Sequence, residues 1–77
     1  MKDIPKGYWG KLLYSGMILH QEYPISIGRG VFCALMSIDS ELTKELSGTE
    51  YDISNENDIN SPKFQKLKSL LEEKYGH

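Results

Sequence analysis

The sequence predicts one α+β domain spanning residues 1–77: an N-terminal β-hairpin or small sheet packed on two α-helices, near residues 30–47 and 61–75. Three observations lead there. Glycines break the apolar N-terminal third at Gly7, Gly10 and Gly16. An apolar stripe at steps of four and three runs from Val31 to Leu46, and Ser61-Pro62 opens an amphipathic stretch that closes before Gly76. An all-α three-helix domain is the alternative.

Residues 8–23, YWGKLLYSGMILHQEY, decide between the two. At the helical period their apolar side chains fall all round the circumference, and each glycine costs about 1 kcal/mol against alanine in a helix interior. Read as strands, KLLY and MILH are joined by Ser15-Gly16, a two-residue link that suits a tight hairpin because glycine tolerates positive φ. The segment LLYSGMIL resembles the strand, turn and strand that ubiquitin-like domains use late in their fold. The resemblance covers eight residues in a different order of elements, and implies a hairpin but no function.

Tyr23-Pro24 favours extended backbone, so YPISI reads as a third strand or edge segment. Beyond Gly28 and Gly30, the residues Val31, Leu35, Ile38, Leu42 and Leu46 mark one helix face, with Gly48 as its C′ residue. Phe32, Cys33 and Met36 would make the first half of that helix buried nearly all round. A strand VFCALMSI followed by a shorter helix capped at Asp39 or Ser40 is the alternative. TEYDI reads as a short strand and SNENDIN as a polar loop. In the last helix Ser61 is the N-cap and Pro62 takes N1, while Phe64, Leu67, Leu70, Leu71 and Tyr75 share a face. Its charges oppose the macrodipole, with Lys63 and Lys66 early and Glu72 and Glu73 late.

A chain of 77 residues buries only about 60 % of its unfolded surface, so an oligomer or a partner is the expected source of further burial. One cysteine, Cys33, and two histidines, His20 and His77, exclude an internal disulfide and a Cys/His zinc site. No run reaches the roughly 18 apolar residues that cross a bilayer, and MKDIPKGYWG lacks the features of a signal peptide. A cytoplasmic location without membrane contact is expected, and a free thiol suits a reducing compartment. Eight lysines against one arginine, with many Ile and Asn, fit an AT-rich coding sequence of a low-GC bacterium or its phages. The net charge of −2 is uneven: residues 1–38 carry +2, residues 39–58 carry −6 and the remainder carries +2.

Gly28-Arg29-Gly30 before a helix makes Arg29 a candidate anion contact, since helix N-termini offer free N–H groups. The spacing matches neither G-x-G-x-x-G nor G-x-x-x-x-G-K-[ST], so no nucleotide cofactor is implied. DISNENDINSPK places Asp52, Ser54, Glu56 and Asp58 at alternate positions of an EF-hand loop. Asn57 replaces its turn glycine and Lys63 its bidentate glutamate, so no metal is expected.

These readings lead to a small, non-catalytic cytoplasmic regulator that binds another protein, of which a phage- or mobile-element-encoded inhibitor of a host protein is one form. Tyr8, Trp9 and Tyr14 would bury apolar area, while Glu41, Glu45, Glu50 and Asp52 meet a basic or mixed surface. A nucleic-acid-binding regulator is the alternative, and requires Lys11, Arg29, Lys63, Lys66 and Lys68 to converge on one face. A thiol enzyme built on Cys33 and His20 is the third class.

Overall fold

The computed structural model describes residues 8–75, with the side chains of residues 9–74. The described residues form four helices, α1 (Tyr8–Glu22), α2 (Ile27–Ile38), α3 (Ser40–Leu46) and α4 (Pro62–Tyr75). No strand occurs among the described residues. The domain is therefore all-helical, which overturns the expected α+β class.

The expected hairpin is α1, and the reason is where its glycine lies. A Cβ on Gly16 would stand 2.5 Å from Val31 Cγ2, and one on Gly30 would stand 2.5 Å from the Gly16 carbonyl oxygen. Two helix backbones thus touch through a pair of glycines, and that close approach offsets the helical cost of Gly16. Ser15-Gly16 is a helix crossing instead of a turn. The resemblance of LLYSGMIL to a strand pair fails for the same reason.

The expected strand at YPISI is a bend. Tyr23 N–H still donates to Leu19 O at 2.9 Å, and His20 Nδ1 donates to Ile25 O at 2.5 Å, which closes the chain back on α1. Ser26, with extended φ −72° and ψ 161°, then caps α2 by accepting from Arg29 N–H at 3.1 Å. Gly28 and Gly30 form part of the buried first turn of α2.

The apolar stripe from Val31 to Leu46 is real, but two helices carry it. Asp39 leaves the helical region at φ −146°, ψ 84°; its N–H donates to Leu35 O, and its Oδ1 accepts from Leu42 N–H at 3.2 Å. One residue therefore ends α2 and caps α3. Gly48, at φ +80°, follows α3 as its C′ residue, as its position predicts. TEYDI is a turn, not a strand.

The polar loop after it is tied down locally. Asp52 accepts from Gly48 N–H at 2.7 Å and from Ser54 N–H at 2.9 Å, and Ser54 Oγ donates to it as well. Ile53 anchors the loop in the core, and Ser26 Oγ donates to Ser54 O. The last helix forms where expected, with Ser61 Oγ accepting from Phe64 N–H at 3.3 Å. The core joins Leu12 of α1, Val31, Phe32 and Leu35 of α2, Leu42 and Leu46 of α3, Ile53, and Phe64, Leu67 and Leu71 of α4.

Candidate functional site

In α1, Leu12 and Gly16 turn inward and Tyr14, Met17 and Ile18 turn outward, as 100° per residue requires. The outward side chains are 67 %, 43 % and 38 % exposed, respectively. Beside them runs a groove of about 560 Å³ in which Ile18 and Leu19 of α1 face Cys33, Ala34 and Ile38 of α2. Lys11 is the one charged residue lining it.

A second groove, of about 320 Å³, opens on the other side of Cys33. Arg29, Phe32, Cys33 and Met36 of α2 face Lys44 of α3 there, with hydroxyls from Thr43, Ser47 and Ser54. No carboxylate lines it. Because α2 begins at Ile27, its inward arc is Gly28, Val31, Phe32 and Leu35, which leaves Arg29, Cys33 and Met36 outside. Cys33 is thus exposed, which corrects its expected burial along with that of Met36. No protein-family model, curated protein or solved structure matches this chain.

The residues singled out in the sequence are only partly gathered here. Tyr14 belongs to the exposed α1 face, whereas Trp9 is half-buried with its ring edge-on to Phe64, centroids 6.2 Å apart. The Tyr8 side chain lies outside the described residues. Glu41 and Glu45 are exposed on α3. Glu50 Oε1 lies 3.6 Å from Lys66 Nζ in a mixed-charge groove that also holds Glu73. The Asp52 carboxyl is occupied within its loop, and its pKa is lowered, chiefly by the Ser54 hydroxyl, then by the Gly48 and Ser54 amides and nearby Lys63, against the opposing cost of burial.

The amide groups around Arg29 are also occupied. Ile27 N–H donates to Asn57 Oδ1 at 3.2 Å, Gly28 N–H to Glu56 O at 2.8 Å and Arg29 N–H to Ser26 Oγ. An anion at this helix end would meet the guanidinium of Arg29 without the backbone's help. Lys66 lines a groove that shares no residue with those of Lys11 and Arg29, so the basic residues named in the sequence do not all converge on one face. The His20 ring is engaged with Ile25 O, and its interaction is not with Cys33. No helix among the described residues is long and apolar enough to cross a membrane.

Sequence reasoning missed Met17, Ile18, Met36 and Lys44 as surface residues. The signal was present: the apolar residues of 8–23 surround a helical wheel because one arc meets the core and the opposite arc meets solvent.

Proposed function

We propose that this protein is a small, non-catalytic binding module that regulates another protein by covering part of its surface, and that it works in the reducing cytoplasm. The contact surface is the outer face of α1 with the α1–α2 groove, in place of the acidic 39–58 segment. The observation that carries this reading is the exposure of Tyr14, Met17 and Ile18 on one face beside an apolar groove. Fully burying a side chain of this size is worth about 1.5–3 kcal/mol, which a partner would supply for the part now in water.

Affinity purification from the source cell with the wild type, Ile18→Asp and a Glu41→Lys/Glu45→Lys double variant tests it. A partner retained by the double variant and lost by Ile18→Asp is the expected result. Loss with the double variant alone returns the contact to the acidic segment, and no partner in any arm removes the reading.

One observation favours a second reading, a nucleic-acid-binding regulator: Arg29 and Lys44 share a groove that no carboxylate lines. A gel-shift series at low salt with Arg29→Glu examines it, since phosphate contacts weaken steeply with salt. No shift at low salt removes that reading.

A further inference from the structure

We infer that the two grooves meeting at Cys33 form one continuous site for an acidic amphipathic helix, which lays apolar side chains between α1 and α2 and sets carboxylates against Arg29 and Lys44. This rests on the protein-binding reading above and names the chemistry of the partner. The two grooves adjoin, since Cys33 lines both. The charge follows from segregation: the chain has 11 acidic and 9 basic residues, yet the two grooves hold Lys11, Arg29 and Lys44 and no carboxylate. None of these three cations is ion-paired with another described residue, whereas Lys66 is paired with Glu50. Glu41 and Glu45, on the same short helix as Lys44, lie outside the lining.

An apolar floor with cations along it is the complement of a helix carrying Leu-type anchors one turn apart and Asp or Glu beside them. The sign of the site then selects partners by repelling basic helices. Nucleic acid fits less well, because Ile18, Ala34, Ile38, Phe32 and Met36 would lie against phosphates with three cations to hold them.

The test is fluorescence anisotropy with a labelled helical peptide of about 16 residues, long enough to hold helical structure, with Leu at i, i+4, i+7 and i+11 and Glu at flanking positions. The same peptide with Lys for Glu, and a DNA duplex of about 20 base pairs, are the comparison probes. The Glu peptide is expected to bind and to shield Cys33 from a thiol reagent. Arg29→Glu and Lys44→Glu should each weaken it about tenfold, and Ile18→Asp further, with unchanged helical circular dichroism because all three residues are exposed. Equal binding of the Lys peptide, or no binding of the Glu peptide, overturns the inference, and duplex binding lost in Arg29→Glu assigns the cations to nucleic acid instead. If Ile18→Asp alone weakens the peptide, the docking face stands without its acidic partner. If no variant has an effect, both readings fall.

Discussion

At Gly28 a methyl group would have to lie 1.7 Å from the Ile53 carbonyl oxygen, a position no rotamer change relieves because the obstacle is backbone. The same residue donates its N–H to Glu56 O at 2.8 Å, so one glycine locks the 53–56 loop onto the first turn of α2. Gly28→Ala should cost about 3 kcal/mol or more by forcing the two apart. Gly10, with nothing within 4 Å of its would-be Cβ, is the control. Gly10→Ala should stabilise by about 0.5–1 kcal/mol through helix propensity. Urea titration of the pair measures both, and a Gly28→Ala protein as stable as the wild type would contradict this packing. In the same loop, the pKa of Asp52 lies below its ordinary 3.8, because hydrogen bonds favour its ionised form. A depressed carboxyl contributes stability above that ordinary value and loses it as pH falls through the folded value. Melting temperature should therefore drop on acidification below pH 3.8, and Asp52→Asn should flatten that drop.

At the scale of elements, the break between α2 and α3 depends on Asp39. Its side chain caps α3, and its carbonyl accepts from the Thr43 hydroxyl at 2.9 Å as well as from Thr43 N–H. Asp39→Ala removes the cap and should cost about 1 kcal/mol, a shift of roughly 4–8 °C in a domain of this size. Thermal denaturation followed by circular dichroism measures it, and a shift near zero would show that the cap is dispensable. The C-terminal helix was legible because Ser61, Pro62 and the Phe64–Leu67–Leu71 face all point to one answer. The stripe from Val31 to Leu46 was legible as core. The break inside it was legible only in the alternative reading, whose helix cap at Asp39 is the one observed, because Asp39 keeps the apolar spacing intact while the backbone leaves and re-enters the helix. For α1 the glycine penalty pointed to strands, since the gain that offsets it comes from Gly30, fourteen residues on and invisible to local propensity. Of the residues that form the candidate site, the sequence had singled out Tyr14 as a partner contact, and Arg29, Lys11 and Cys33 under other readings. Periodicity takes an apolar residue for a core residue, and so hides Met17, Ile18 and Met36.

On the scale of the whole molecule, a domain of 77 residues has few apolar side chains to spare, yet three of those on α1 lie outside its core. Native stability is of order 5–15 kcal/mol, so residues that serve the fold and residues that serve a partner should separate sharply when each is changed alone. Leu12 is 2 % exposed and is the one buried core side chain of α1 among the described residues, so Leu12→Ala should cost about 2–5 kcal/mol and lower the melting temperature by ten degrees or more. Ile18→Ser, on the opposite arc of the same helix, should stay within about 0.5–1 kcal/mol of the wild type, because its side chain is already partly in water. In the same samples the exposed Cys33 thiol should react with a thiol reagent without denaturant, at the same rate in Ile18→Ser as in the wild type. Melting curves and thiol-labelling rates together make the comparison. An Ile18→Ser protein that melts as low as Leu12→Ala would mean that the α1 face is already covered, by a second copy or by the chain itself. Its melting temperature would then rise with protein concentration in the first case and not in the second.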